Sequence, residues 1–142
     1  MKSVLLIIGV LLLVGMANAA NYVQVGYGDA RTVDEIYYST AEPGKTFLLV
    51  DITVANHGYE SVNTNPNYFQ VEVNNVRYDY DTATYSIPEM GLPKLDNADV
   101  GDGGQISGYL AFQIPDGATK FSLIFKARGA DVRYDKTEAA IQ

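Results

Sequence analysis

The sequence contains no cysteine and a single histidine, His57. Without cysteine there can be no disulfide framework, thiolate zinc site, iron–sulfur cluster, cysteine nucleophile or acylated lipoprotein cysteine. A single histidine also excludes metal sites that need several imidazole ligands. The chain has 10 basic and 17 acidic residues, a net charge of -7 and a pI of about 4.5. Nucleic acid is therefore not expected as a partner.

Motifs of common enzyme classes are also missing. The chain has no Gly-x-Ser-x-Gly sequence, and the glycine-rich residues 101–104 lack the lysine and the following helix of a phosphate-binding loop. His57 lies in the turn Asn56-His57-Gly58 without a serine or cysteine motif beside it. Most acidic residues fall in predicted turns, which disfavours a glycosidase carboxylate pair. We expect no enzymatic activity, and a hydrolase or metal-dependent enzyme is the remaining alternative.

The N-terminus has the three parts of a secretory signal peptide. Lys2 precedes the apolar residues 4–14, and Ala17-Asn18-Ala19 supplies a small-x-small cleavage site. Even extended to Ala17, the apolar run has 14 residues, whereas a bilayer-spanning helix needs about 20. We predict a signal peptide over residues 1–19, a single domain over 20–142, export, and no stable membrane span after cleavage. The alternative is a retained apolar helix, as in filament subunits that join such a helix to a β-sandwich.

The rest of the chain alternates apolar and polar residues with a period of two, which is typical of half-buried strands. The clearest alternating sets are Leu48, Val50, Ile52 and Val54; Phe69, Val71 and Val73; Ile106, Leu110, Phe112 and Ile114; and Phe121, Leu123 and Phe125. Phe47 and Leu49 place apolar residues on the other face as well and predict a central strand. The pattern predicts an all-β fold, an antiparallel immunoglobulin-like β-sandwich of seven or eight strands after the N-terminal apolar segment.

Turn residues separate these strands. Asn74-Asn75 predicts a tight hairpin. Gly28-Asp29 separates two weaker strands at residues 22–27 and 32–38, and a further short strand is predicted at 131–134. Residues 88–102 form the longest irregular stretch and are expected to cap one end of the sandwich. The tail after Asp135 is expected to fray.

Four blocks in order resemble a known family of exported domains. They are the run from Pro43-Gly44-Lys45 to Asn56-His57-Gly58; Asn65-Pro66 with Phe69 and Val71; Tyr78-Asp79-Tyr80-Asp81 with Ala83-Thr84; and the run from Gly103 to Phe112 with Ile114-Pro115. Together they span about residues 43–126 and resemble domain of unknown function 4352 (DUF4352), described as telokin-like or Ig-like. The resemblance implies a secreted or surface-attached β-sandwich without assigned catalytic residues. Many members carry a lipoprotein cysteine after the signal, whereas this chain has Ala19-Ala20, which favours free secretion or attachment through protein contacts.

The chain has 11 tyrosines and no tryptophan. Exposed tyrosines offer a large contact area at low entropic cost, so they suit protein or glycan recognition. Tyr109 alternates with Leu110 and Phe112 and is predicted to be the most exposed, with Tyr37 or Tyr38 next. These three residues are the predicted partner contacts.

The densest acidic loop contains Asp96, Asp99 and Asp102. Carboxylates at such spacing could contribute ligands for calcium, although the loop lacks the glutamate of an EF-hand. The simpler interpretation is turn chemistry, in which Asp side chains bond their own backbone. We expect no cofactor, with calcium as the alternative.

We therefore predict a secreted or cell-surface, non-enzymatic binding module. Its partner would be a protein or glycan at the cell surface, or another copy of the chain. The alternative is a structural subunit of an extracellular filament or envelope layer, assembled through edge strands or N-terminal contacts. In that case residues 22–27 are the candidate donor strand.

Overall fold

The computed structural model describes residues 12–14, 21–126 and 135–142, with side chains placed for 21–126 and 139–142. These residues form β-strands and two 3-10 helices, Pro66–Tyr68 and Thr82–Met90. The strands are β1 (Leu12–Val14), β2 (Tyr22–Val33), β3 (Glu35–Ile36), β4 (Ser39–Thr40), β5 (Lys45–His57), β6 (Ser61–Asn63), β7 (Phe69–Val73), β8 (Val76–Asp79), β9 (Asp99–Gly101), β10 (Gln105–Pro115), β11 (Lys120–Phe125) and β12 (Asp135–Ala140).

Two four-stranded sheets form the sandwich. Sheet I has the order β1-β2-β5-β10, and sheet II has the order β12-β11-β7-β8. Every pairing in both sheets is antiparallel. The longest pairing joins β5 to β10, from Lys45 opposite Pro115 to Ala55 opposite Gln105. The predicted all-β antiparallel sandwich is confirmed.

The main core lies between the two sheets. The alternating residues of β5 predicted to face it, Leu48, Val50, Ile52 and Val54, are all 0% exposed. Sheet II contributes Phe69 and Phe125, whose ring centroids lie 4.6 Å apart. Each fully buried side chain of this size contributes about 1.5–3 kcal/mol through removal of apolar surface from water. The period-two pattern therefore identifies the residues that hold the sheets together.

A second, smaller core covers part of the outer face of sheet I. It consists of Ile36, Phe47, Leu49, Ala83, Ile87, Tyr109 and Ala111. The 3-10 helix Thr82–Met90 supplies Ala83 and Ile87, so this helix packs on the sheet rather than extending into solvent. Burial of Phe47 and Leu49 confirms that β5 is apolar on both faces where it begins.

The first long strand differs from the prediction. Residues 22–33 form one strand, β2, where the sequence predicts two strands separated by a Gly28-Asp29 turn. Tyr27 pairs with Ile52 and Ala30 pairs with Val50, so two residues of β2 stand opposite the one residue between them on β5. This is a β-bulge, in which an extra residue is absorbed without ending the strand.

The predicted tight hairpin at Asn74-Asn75 is confirmed. The two asparagines have φ values of 52° and 67° and join β7 to β8. Positive φ at both central residues is the geometry of a type I′ turn, which asparagine tolerates better than most residues.

The C-terminal tail is more ordered than expected. β12 pairs with β11 from Phe125 opposite Asp135 to Lys120 opposite Ala140, so the prediction of fraying after Asp135 is wrong. Pairing is favoured because Ala139 is 6% exposed and Ile141 packs against the main core. The short strand predicted at 131–134 lies outside the described residues.

The predicted signal segment, residues 1–19, lies outside the described residues except for β1. Residues 12–14 pair with residues 23–25 of β2 at the edge of sheet I. Cleavage after Ala19 stays a prediction. Within 12–14, 21–126 and 135–142, no helix has the length and apolar character needed to cross a bilayer.

Candidate functional site

Tyr37 and Tyr38, here named the tyrosine turn, connect β3 to β4. Their side chains are 50% and 86% exposed, and their ring centroids lie 4.0 Å apart at an interplanar angle of 49°. Tyr37 has a φ of 57°, a left-handed conformation that a bulky side chain rarely adopts. Asparagine or glycine would fit this position at lower cost, so tyrosine stands here against the local backbone preference.

The neighbouring structure holds the tyrosine turn in place. Ile36, directly before it, is 0% exposed and packs in the second core with Ile87. The pKa of Tyr37 is raised by its hydrogen bond with Tyr38, by burial and by the negative charge of Glu89. The charge of Glu89 therefore acts on the aromatic pair. This surface can stack on an apolar ring face and accept hydrogen bonds beside it.

Tyr109 is not exposed, and the prediction that it offers the best contact surface is wrong on this point. The residue is 8% exposed. Residues 93–95 run beside β10, where the Tyr109 amide donates to the Pro93 carbonyl (2.8 Å) and the Leu95 amide donates to the Tyr109 carbonyl (3.0 Å). Residues 88–102 were expected to cap one end of the sandwich, but residues 93–95 within them pair along β10 instead. Alternation correctly places Tyr109 on the outer face, but the 3-10 helix packs on that face and contributes Ala83 and Ile87 to the same core cluster as Tyr109.

Tyr109 belongs to a polar cluster that the sequence analysis missed. Its hydroxyl donates to Asp29 Oδ2 at 3.0 Å, and Arg31 Nε lies 3.5 Å from the same oxygen. Asp51 lies directly opposite Tyr109 in the β5–β10 register. We name Asp29, Arg31, Asp51 and Tyr109 the outer-face cluster.

The electrostatics of the outer-face cluster are unusual for a surface. Burial raises the pKa of Asp51, and the negative charge of Asp29 raises it further. Burial and the hydrogen bond to Asp29 raise the pKa of Tyr109 to about 12. The sequence feature that could have indicated this cluster is the Gly28-Asp29 pair. Only the bulge and the strand register place that pair beside Asp51.

The acidic loop places its three carboxylates on separate partners. Asp96 Oδ1 lies 3.7 Å from Lys94 Nζ. Asp99 Oδ1 accepts from Asn63 Nδ2 at 2.8 Å, and Asp102 Oδ1 accepts from the Gly58 amide at 2.7 Å. Among the described side chains, no group of three or more His, Cys, Asp or Glu residues is arranged to hold a metal ion. Asp99 and Asp102 thus bond residues 36 and 44 positions away in the chain, and calcium binding by this loop stays an untested alternative.

Residues 14–138 match the family described as Domain of unknown function (DUF4352). The chain belongs to this family. The match extends the resemblance seen at residues 43–126 across β2 and into β12. No curated protein matches the chain in sequence.

Solved structures of similar fold confirm the architecture. A Bacillus subtilis protein, ycdA, described as a candidate lipoprotein, has a TM-score of 0.67 at 17% identity over 83% of this chain. The chain spans only 36% of that protein's length. MPT63, a secreted protein from Mycobacterium tuberculosis, has a TM-score of 0.57 at 14% identity, covering 90% of this chain and 92% of MPT63. The yjhA protein of Bacillus subtilis has a TM-score of 0.58 at 20% identity, covering 91% and 98%.

Proposed function

We propose that this DUF4352 protein is a non-enzymatic interaction module of the cell exterior, and that its tyrosine turn contacts a protein or glycan of the cell surface. The observation that carries the proposal is Tyr37 itself. Its left-handed backbone costs of the order of 1 kcal/mol, and its side chain is half exposed rather than packed in a core. A strained side chain that is half exposed adds little to the core and is available for contact with a partner.

The chemistry of the surface supports either class of partner. Tyr38 presents an almost fully exposed ring, to which a sugar ring or an apolar side chain can stack. The hydroxyl groups of both tyrosines can donate and accept hydrogen bonds with hydroxyl or amide groups of a partner. Because Ile36 anchors the turn in the second core, little ordering would be needed on binding.

An exterior location is supported from two directions. The sequence has the parts of a signal peptide at residues 1–19. Two proteins of similar fold are described as a candidate lipoprotein and as a secreted protein. Location in the medium or in the cell envelope is therefore the proposal, and fractionation of the producing cells tests it.

The binding proposal is tested by co-sedimentation of the exported chain with isolated envelopes of the producing organism. Tyr38→Ala removes a side chain that is 86% exposed, so it should leave folding intact and weaken binding at least about tenfold. The matched control is Val76→Ala, which truncates a half-exposed apolar side chain on β8 in sheet II. Protease treatment of the envelopes would abolish binding to a protein, and periodate treatment would abolish binding to a glycan. Equal binding by wild type and Tyr38→Ala would refute the role of this surface.

A second candidate function is a structural subunit that assembles through strand edges. The specific observation in its favour is the edge of residues 22–27 of β2, which carries no charged residue. In the processed chain this edge would lose β1.

A further inference from the structure

The outer edge of β2 has two parts that are covered differently. Near its C-terminal end, the Ala30 carbonyl accepts a 2.9 Å hydrogen bond from the Gln142 amide, so the end of the chain covers this part. Residues 22–27, here named the acceptor edge, lie before the bulge. Residues 23–25 of the acceptor edge pair with β1, with Gln24 opposite Leu13 at the centre.

The opposite border of sheet I is protected by its own chain. Residues 93–95 pair beside Tyr109, and the Asp81 amide donates to the Ala111 carbonyl at 2.7 Å. Tyr80 forms a further bridge to Phe112, which joins the end of β8 to β10. Strand edges left without such cover tend to pair with other chains. Of the residues that the structure describes, the three of β1 are those that pair with the acceptor edge on its outer side.

The composition of the acceptor edge does not oppose pairing. Its sequence, Tyr-Val-Gln-Val-Gly-Tyr, has no charged residue and no proline, the two features that most often block edge association. Val23 and Val25 are 0% and 1% exposed and belong to the main core. Removal of β1 by the predicted cleavage after Ala19 would leave the backbone groups beside these residues without partners. Unpaired backbone groups at the edge of a core are costly unless another strand or water satisfies them.

We propose that, in the processed chain, the acceptor edge pairs antiparallel with the acceptor edge of a second copy, centred on Gln24. In this register Gln24 stands opposite Gln24 of the second copy, and Val23 stands opposite its Val25. Three strands of sheet I from each copy, β2, β5 and β10, then form one continuous sheet. The contact is two-fold symmetric and closes at a dimer.

A second copy fits this edge better than a charged foreign segment. The acceptor edge offers no ion pair to a partner, while its valines match themselves across a two-fold axis. The net charge is -7 for the full chain and becomes more negative when Lys2 is removed with the signal peptide, so two copies repel. That repulsion is screened beyond roughly 8 Å at physiological ionic strength, so the dimer should strengthen as salt rises. The inference deepens the second candidate function and does not depend on the tyrosine turn.

Because the chain has no cysteine, a single introduced thiol reports the pairing. In an antiparallel pair, directly opposite Cα atoms lie about 4.5–5.5 Å apart, which is within disulfide range. The exported Gln24→Cys chain, with its N-terminus sequenced, should form a disulfide-linked dimer on mild oxidation. The matched control is Thr32→Cys, which lies on β2 beyond the bulge, is more exposed, and should remain monomeric. Equal cross-linking of both variants would indicate random collision and overturn the proposal.

Light scattering across concentration tests the same contact without a cross-link. The processed wild type should be a dimer, and Gln24→Lys should be a monomer because it places two positive charges opposite each other. The double variant Ala17→Leu/Ala19→Leu blocks cleavage, retains β1 and should also be a monomer, so the test remains decisive if Gln24→Lys does not fold. A monomeric processed chain, a native chain that retains residues 1–19, or a dimeric uncleaved variant would overturn the proposal. Tyr38→Ala should leave the dimer unchanged, which separates this test from that of the tyrosine turn.

Discussion

The Tyr109 hydroxyl reaches across β5 to donate a 3.0 Å hydrogen bond to Asp29 on β2, a residue 80 positions away in the chain. The phenol is long enough to span the intervening strand, where Asp51 lies directly opposite Tyr109. The bond therefore ties the two strands that flank β5 to each other on the outer face of sheet I.

Tyr109→Phe should lower the free energy of unfolding by about 1–2 kcal/mol, because it removes a hydrogen bond to a charged acceptor in a covered site. Tyr85→Phe is the control, since its hydroxyl contacts Tyr80 at 3.2 Å on a side chain that is 55% exposed. Urea denaturation followed by circular dichroism measures both. Equal losses from the two variants would mean that the Asp29 bond adds nothing specific.

Asp51→Asn should stabilise the protein at neutral pH. Burial and Asp29 raise the pKa of Asp51 in the folded state, so the ionised form is disfavoured there relative to the unfolded chain. The stability linked to its proton is fully present below the unfolded pKa and is lost as pH rises through the folded pKa. The advantage of Asp51→Asn should therefore be present at pH 7 and vanish below pH about 4.

Denaturation curves of wild type and Asp51→Asn across this pH range show whether the substitution raises or lowers the free energy of unfolding. Asp116→Asn, in an exposed turn, is the control and should leave the free energy of unfolding unchanged at every pH. A destabilising effect of Asp51→Asn at pH 7 would show that the carboxylate has a favourable partner that outweighs its burial.

Much of the architecture follows from alternation alone. The inward residues of β5 could be predicted because apolar and polar residues alternate within the strand itself. The Asn74-Asn75 turn could be predicted because asparagine tolerates positive φ. Membership of DUF4352 was likewise visible in short strand blocks. The sequence pattern does not distinguish the bulge at residues 28 and 29 from a turn, because bulges and turns use the same residue types.

The site was less predictable for a related reason. Alternation assigns Tyr109 to the outer face but carries no information on what covers that face. The 3-10 helix Thr82–Met90 packs on that face, while residues 93–95 pair along the edge of β10, and both placements depend on tertiary packing. The proximity of Asp29 to Asp51 similarly requires the strand register. In contrast, the exposure expected for Tyr37 and Tyr38 agrees with the structure, because a two-residue turn between short strands has little around it.

Gly108 is required by the close approach of residues 93–95 to β10. A Cβ atom at this position would overlap the backbone of Lys94 and Leu95. Gly108→Ala should therefore lower stability by about 1–3 kcal/mol, as expected for overpacking against backbone that cannot rotate away. Gly101→Ala is the control, because a Cβ there meets nothing within 4 Å. Hydrogen exchange of the Leu95 and Tyr109 amides should accelerate in Gly108→Ala alone; unchanged exchange would contradict the clash.

Calcium should not stabilise the protein. Asp96, Asp99 and Asp102 each have a different protein partner, so no shared set of ligands is prepared for the ion. Thermal unfolding in millimolar calcium and in chelator should give the same midpoint, since an ion that binds the folded state would raise it. A rise that disappears in Asp99→Asn but persists in Asp116→Asn would instead identify a site in this loop.

Tyr37→Asn separates the stability of the tyrosine turn from its proposed role in binding. Asparagine accepts the φ of 57° more readily than tyrosine, so the variant should gain about 0.5–1 kcal/mol in the free energy of unfolding. It also loses the ring that packs 4.0 Å from Tyr38, so envelope binding should fall. Tyr37→Phe keeps the ring and the backbone cost and should bind more strongly than Tyr37→Asn. A Tyr37→Asn protein that is less stable than wild type would mean that the ring contributes more to the folded state than its strained backbone removes, and the argument for a binding role would lose its basis.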